Sequence, residues 1–329
     1  MNKIQETLEA LKNEDIDPAY LADLVVAGEL TKSEGQDIKD QYLFWLDLHS
    51  KVEDEQFDKE SEKIKKQGVT DSIEKQGKIF TWGSKESNKK FDPIQPHHHI
   101  VIAGERGGGK TTYSFYLATE NSKDHKVLYI SLEMNTRELI TSSCRKAANI
   151  SKEQWRDKSL ITDPQRSKYY GRKKEIQGLE NLELLGSSNA EDNNIEKILE
   201  VITAKNPDLV FIDNLDLIRT RHNKDNERQE EISRQFMNYT NESHIPIIVL
   251  HHINKSGEIR GSKKIEDNAD LILICSRNIP EKGEELDVED QAKFNAVITK
   301  SRDFGEFVGH RYYFDKGEFK DQFNGQTGF

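Results

Sequence analysis

At 329 residues the chain has room for one large domain of roughly 200–250 residues plus an appendage. Hydrophobic residues make up only 34% of it and charged residues 33%, which is polar for a globular protein and points to a solvated helical arm or loops, with the N-terminal third as that part. A net charge of −11 excludes a global attraction to nucleic acid or an anionic membrane, so any DNA or RNA contact has to use local basic loops.

The start, Met1-Asn2-Lys3-Ile4-Gln5-Glu6, lacks the apolar centre of a signal peptide, and no run of ~18 apolar residues occurs. The expectation is a soluble, cytoplasmic protein without membrane contact. Cys144 and Cys275 fit a reducing compartment, because their separation carries no metal-ligand signature and a chain this size does not default to disulfides.

Residues 1 to about 75 read as helical, with Leu8, Leu11, Tyr20, Leu21, Leu24 and Val25 near helical spacing and a break around Gly28 and Gly35. From Asp37 to about Lys66 there is no Pro or Gly, and Ile38, Tyr42, Trp45, Leu46 and Val52 form an apolar stripe. That stripe fits either a solvated helix covering the main domain or an arm docking on a neighbouring subunit. The organisation expected is a helical region over 1–76, a Gly- and Pro-containing connector over 77–98 and one α/β domain over 99–329.

Within that domain, apolar runs alternate with helical stretches: His99–Ala103, Thr111–Thr119, Val127–Leu132, Thr136–Ala148, Ile195–Ala204, Leu209–Ile212, Arg228–Ser243, Ile247–His251, Leu271–Cys275 and Phe294–Thr299. Continuously apolar strands separated by helices predict a mainly parallel sheet covered on both faces.

Between the first of these strands and the helix-capable Thr112-Tyr113-Ser114-Phe115 stands Gly104-Glu105-Arg106-Gly107-Gly108-Gly109-Lys110-Thr111. The glycines let the backbone wrap a phosphate without Cβ obstruction, and its N–H groups and the following helix N-terminus point at the anion. Lys110 supplies a charge for the β and γ phosphates and Thr111 a hydroxyl for Mg²⁺, so Gly104 to Thr112 reads as a triphosphate loop for ATP and Mg²⁺. Leu209-Val210-Phe211-Ile212-Asp213 offers a carboxylate at the end of a buried strand, and Asp213 is the candidate second metal ligand. Glu133, ending a strand expected to lie next to the loop-bearing strand, reads either as the group that positions an attacking water or as a helix N-terminal Glu favoured by the dipole.

These segments, in this order, resemble the hexameric replicative helicases: the DnaB-like and phage primase-helicase group with a RecA-like motor. Ser131-Leu132-Glu133-Met134 is similar to that family's second motif, whose Glu is the catalytic base. Ile247 to His252 resembles the strand whose terminal polar residue senses the γ-phosphate, which implies His252, with His251 as the second choice. Gly257 to Ser262 and Ile265 to Ile272 resemble the single-strand-binding loop and the strand after it; Lys255, Arg260, Lys263 and Lys264 are its basic groups, and with no aromatic present backbone tracking rather than base stacking is implied. Val297-Ile298-Thr299-Lys300-Ser301-Arg302-Asp303-Phe304-Gly305 resembles the strand whose Arg enters the ATP site of the next subunit, implying Arg302 with Lys300 beside it. Tyr312 to Phe319 is similar to the family's last hairpin.

The resemblance covers about residues 98–320 and implies a ring-forming, ATP-driven helicase on single-stranded DNA, a homo-hexamer working with a primase, polymerase or loader in a bacterial or phage-infected cell. The chain departs from the family in lacking a Thr-Gly-x-x-x-Leu-Asp string before the first strand and a zinc-ribbon or TOPRIM-like region. Residues 1–95 also do not look like the usual primase-interacting bundle, so a phage- or plasmid-type motor is expected. Two other functions share the phosphate loop: a RecA-like recombination or annealing ATPase that does not unwind, and a regulatory NTPase using residues 1–75 as its interaction module. His97-His98-His99 reads as a solvent-facing run, because consecutive side chains diverge and no Cys or acidic partner is spaced to complete a metal site. Phe329 is similar to the terminal aromatic by which phage replication proteins dock on a polymerase.

Overall fold

The computed structural model describes residues 3–12, 24, 30, 31, 38, 78–186, 193–254, 257–261, 263–278, 287–303 and 307–322. It divides into two compact units, Met1–Gln67 and Gly68–Phe329. In the first, α1 (Lys3–Lys12) is helical, and Leu11, Leu24, Leu30 and Ile38 are buried. The rest of the stripe from Tyr42 to Val52 lies outside the described residues, as do Lys255, Phe304, Gly305 and Phe329.

In the second unit, nine strands among the described residues form one sheet: β1 (His99–Gly104), β2 (Val127–Ser131), β3 (Leu182–Gly186), β4 (Leu209–Asp213), β5 (Ile247–His252), β6 (Leu271–Arg277), β7 (Lys293–Ser301), β8 (Val308–Asp315) and β9 (Glu318–Lys320). Their order is β3-β2-β4-β5-β1-β6-β7-β8-β9. Pairings from β3 through β6 are parallel, and those from β6 through β9 are antiparallel. The helices are α2 (Lys85–Lys90), α3 (Lys110–Asn121), α4 (Thr136–Ala147), α5 (Lys152–Arg156), α6 (Asp163–Gln177), α7 (Ile195–Lys205), α8 (Asp225–Ser243), α9 (Lys263–Asn268) and α10 (Val288–Ala292). No helix among the described residues is long and apolar enough to cross a membrane.

The parallel strands are apolar throughout because each feeds two cores. Ile100 and Ile102 of β1, Tyr129 of β2 and Phe211 of β4 pack with Tyr113 and Phe115 of α3 and Leu139 of α4 on one face. Val101, Leu128, Val210 and Val249 pack with Ile198 of α7 and Phe236 of α8 on the other. A sheet buried on both faces has no place for the polar alternation of a half-exposed strand.

Three expectations need correction. The strand before Glu133, β2, is not beside β1, because β4 and β5 intervene; crossover connections set strand order, and hydrophobic patterning does not encode them. Second, β3, α5 and α6 lie in a stretch without a readable apolar pattern: β3 is an edge strand of half-buried residues, and only Ile176 of α6 is buried. The boundaries were written in the caps instead, for Thr162 and Gln165 form a capping box and Pro164 follows in the first turn. Third, the histidines do not face solvent together, since His98 is 2% exposed and His99 is fully buried against Phe236.

The stretch expected as a connector also contributes to the core. Phe80, Trp82, Phe91 and Ile94 are buried in the same cluster as α3. The indole Nε1–H of Trp82 donates to the carbonyl of Asp92 at 2.8 Å, while the Trp82 carbonyl accepts from the hydroxyls of Tyr113 (3.2 Å) and Tyr312 (2.8 Å). Each polar atom that these aromatics carry into the interior is thereby satisfied.

Candidate active site

The turn from β1 into α3 carries the glycine-rich stretch Gly104 to Thr111, the candidate phosphate loop. Gly107 and Gly109 have φ of 75° and 92°, the left-handed region that favours glycine, and Gly109 is the N-cap of α3. A Cβ on Gly104 would lie 2.5 Å from the carbonyl oxygen of Cys275 on β6, so that close approach also requires glycine. A Cβ on Gly107 meets nothing within 4 Å, so the loop is open on that side. Unlike α4, α5 and α6, α3 has no side-chain cap, which leaves its first N–H groups available to an anion.

Lys110 is buried and folded onto the loop, its Nζ donating to the carbonyls of Gly104 (2.8 Å) and Glu105 (2.9 Å). It also lies 3.1 Å from Nδ1 of His252. Burial lowers the pKa of both groups, and for His252 the Lys110 charge adds to that effect. A neutral His252 that accepts at Nδ1 carries its hydrogen on Nε2. The strand register explains the meeting, since His252 of β5 pairs with Gly104 of β1.

On the other side of Lys110, the Thr111 hydroxyl donates to Oδ2 of Asp213 at 2.7 Å. Asp213 also accepts from the Tyr129 hydroxyl at 3.3 Å. Burial pushes the Asp213 carboxyl up to about 6, with the Thr111 hydrogen bond opposing the shift and the Glu133 charge adding to it. Glu133 reaches this carboxylate although β2 is remote from β1, because Ser131 pairs with Asp213 across β2 and β4. The backbone N–H groups of Leu132 and Glu133 both donate to the Asp213 carbonyl, and Asn214 Nδ2 donates to Oε2 of Glu133 at 2.8 Å.

Gly104, Lys110, Thr111, Glu133, Asp213 and His252 are thus gathered beyond the carboxyl ends of β1, β2, β4 and β5, the edge at which open α/β sheets bind ligands. Glu105 and Arg106 are exposed on the rim of the loop, and Thr112 opens α3 beside Thr111. A glycine-rich loop, a buried ammonium and a Thr–Asp oxygen pair match the needs of a triphosphate with its divalent cation.

Arg260, Lys263 and Lys264 are exposed on the loop and short helix that follow β5. Arg260 N–H donates to the His252 carbonyl at 2.9 Å, and His251 Nε2 donates to the Arg260 carbonyl at 2.6 Å. Gly261, at φ 101°, packs so tightly on Gln229 that a Cβ would overlap its amide. Gln229 Nε2 donates to Asp216 at 3.1 Å. The loop is therefore tied both to β5, whose last residue His252 meets Lys110, and to the segment after Asp213.

Lys300 and Arg302 do not join this cluster. Strand β7 is antiparallel to β6, with Ile272 opposite Lys300 and Leu271 opposite Ser301, so its end lies at the amino edge of the parallel strands. There Arg302 pairs with Asp270 at 2.8 Å and donates to the Asp267 carbonyl at 3.2 Å. Lys300 donates to the carbonyls of Glu266 and Asp267. Asp303 lies beside His97 and His98, the acidic neighbour that spacing did not reveal. Gln95 N–H donates to His98 Nδ1 at 3.2 Å, so Nε2 carries the hydrogen bonded to Asp303 at 3.1 Å. With both ring nitrogens engaged, this is a hydrogen-bonded pair and not a set of lone pairs ready for a metal.

A family model described as the DnaB-like helicase C terminal domain matches residues 81–320. The chain belongs to this family. Its relatives include the replicative DNA helicase DnaB of Buchnera aphidicola subsp. Schizaphis graminum, 28% identical over 214 residues, and that of Haemophilus influenzae, 26% identical over 216. Each alignment covers 60% of this chain and 46% of the relative, so the chain spans about half the length of the curated DnaB proteins it matches. Among solved structures, a DnaB-like replicative helicase described with its interactions with primase superposes with a TM-score of 0.63 at 19% identity, covering 92% of this chain and 82% of its own. That superposition shows that this chain shares the fold of that helicase.

Asn214, Asp216, Gln229 and Lys146 belong to this neighbourhood and were missed in the sequence. Asn214 directly follows Asp213, an adjacency that could have flagged it, whereas Gln229 and Lys146 lie on helices whose facing partners only the fold supplies.

Proposed function

We propose that the chain is the motor of a ring-forming replicative DNA helicase that hydrolyses ATP between subunits and translocates on single-stranded DNA. The supporting observation is that the chain carries two half-sites on opposite edges of one sheet: Lys110, Thr111, Asp213 and Glu133 at one, Arg302 and Lys300 at the other. A six-residue strand, roughly 20 Å long, separates them. A guanidinium so far from its own phosphate loop acts on phosphate only in a second copy, in a head-to-tail arrangement that closes into a ring; a hexamer is the state the family resemblance implies.

Thr111 and Asp213 would hold Mg²⁺, which when bound would supply positive charge to offset what develops on the phosphates. Lys110 would leave its backbone carbonyls for the phosphate oxygens. Glu133, oriented by Asn214, accepts the proton of the attacking water. His252, in contact with Lys110 and bonded through its carbonyl to Arg260, carries the change in phosphate contacts to the loop that bears Arg260, Lys263 and Lys264. Lys255 belongs to the same loop by sequence. Residues 1–76 serve oligomerisation or the docking of a replication partner.

Mixing two inactive variants tests the interface site. Lys110→Ala and Arg302→Ala should each lack ATPase activity, yet an equimolar mixture should recover it, because about a quarter of the interfaces then pair an intact loop with an intact Arg. No recovery would sink the shared site. Forked-duplex unwinding separates a helicase from an annealing ATPase, and stimulation of hydrolysis by single-stranded DNA separates both from a regulatory NTPase.

A further inference from the structure

Lys146 lies in the last turn of α4, and its Nζ donates to Oγ1 of Thr112 in the first turn of α3 at 2.5 Å. It lines a small cavity together with Thr111, Thr112, Ser142, Ser143 and Arg172. Among the described residues no carboxylate pairs with it. Its charged neighbours are Arg277, at the end of β6, and Arg145. Burial and these two guanidiniums push its ammonium down to about 8. A half-buried ammonium with no carboxylate against it is unfavourable unless an anion completes it.

Position decides which anion that is. Thr112 follows Lys110 and Thr111 on the turn of α3 whose N–H groups face the phosphate loop. Lys110 and Thr111 are committed to the β and γ phosphates and the metal. The next residue along α3 is turned by about 100° around the helix axis, so Thr112 faces Lys146 while Thr111 faces Asp213. Its hydroxyl accepts from Lys146 and still carries a hydrogen of its own to donate.

We propose that Lys146 is a further nucleotide contact, a cation from α4 that meets the α-phosphate of a nucleoside di- or triphosphate with Thr112 orienting it. This rests on the phosphate-loop reading above and extends it to a residue outside every motif that identified the loop. Two donors then converge on one phosphate, the Lys146 ammonium and the Thr112 hydroxyl, and the α-phosphate is common to ADP and ATP. The contact is therefore kept after the γ-phosphate has left.

Titration of the full chain with fluorescent ADP and ATP in Mg²⁺ tests this, using Lys146→Met, Lys146→Ala, Lys146→Arg and Lys110→Ala. Met keeps the aliphatic stem and removes the charge, so it separates phosphate binding from packing; thermal unfolding without nucleotide checks that each variant is folded. The expected result is that Lys146→Met and Lys146→Ala weaken ADP and ATP alike by about tenfold, while Lys146→Arg stays within about threefold of the unaltered chain. If Lys146→Met binds both nucleotides as the unaltered chain does while Lys110→Ala loses them, the Lys146 assignment is overturned and the phosphate loop stands. If Lys110→Ala also binds normally, the loop reading fails and the proposal with it.

Discussion

Arg302 is paired with Asp270 at 2.8 Å, and Asp270 simultaneously accepts the backbone N–H of His99 at 2.8 Å at the start of the strand that ends in the phosphate loop. The Arg302 side chain is 49% exposed, whereas Asp270 is 5% exposed and keeps the His99 N–H as a second partner. Arg302→Ala should leave the nucleotide dissociation constant within about twofold and lower kcat by about 10³, measured as steady-state ATPase with single-stranded DNA. Arg302→Lys should restore little, because an ammonium cannot grip two phosphate oxygens in a fork. Full activity in Arg302→Ala would remove the residue from the site.

Glu133 is exposed and held by Asn214, a placement suited to water and not to packing. Glu133→Gln should keep ATP binding while single-turnover hydrolysis falls by roughly 10²–10⁴. Asn214→Ala should show a smaller loss, about tenfold, since the carboxylate remains but is no longer oriented. If the two variants lost equal rate, Asn214 would have a larger part than orientation.

His99 gives the fold a dependence on pH. Burial lowers its pKa to about 4, against an ordinary value of 6.5, with the Asp270 charge opposing the shift. The unfolded chain therefore takes up this proton more readily than the folded one. The stability tied to a neutral His99 is fully present above pH 6.5 and is lost as pH falls toward 4, on the order of 3 kcal/mol in all. His99→Phe, which keeps an aromatic against Phe236, should flatten the fall in urea-unfolding stability between pH 6.5 and 4. An unchanged slope would mean that other groups carry the acid response.

Trp82, 1% exposed, and its hydrogen-bonding partners Tyr113 and Tyr312 make residues 78–98 a structural part of the α/β unit. Trp82→Ala should cost about 3–5 kcal/mol, read from chemical denaturation. A chain beginning at residue 68 should fold, and one beginning at residue 95 should not. A stable, cooperative unfolding transition in the shorter chain would show that the segment is dispensable.

The loop Gly104 to Thr111 and the strand ending in Asp213 were legible because their chemistry is local: glycines at left-handed turns and a carboxylate after four apolar residues need only their sequence neighbours to be recognised. Glu133 had two readings from its own neighbours and needed the motif resemblance to favour one, since its partner Asn214 comes from the turn after β4. The chain from α5 through β3 escaped because its residues are half-buried or exposed, and a pattern of burial cannot be read where there is little burial. His98 and His99 were misread because adjacent residues of a strand were assumed to end in solvent, whereas β1 is covered on both faces.

The amino-acid sequence by itself determined a glycine loop between a strand and a helix, a carboxylate at the end of an apolar strand and a sheet buried on both faces, because backbone conformation and hydrophobic periodicity act over a few residues. Only the tertiary structure decided that Ser131 pairs with Asp213 and so delivers Glu133, that His252 meets Lys110, that Lys146 reaches Thr112, and that Arg302 stands at the opposite edge. Those relations depend on strand order and on the reversal from parallel to antiparallel at β7, which the crossovers impose between segments far apart in the chain.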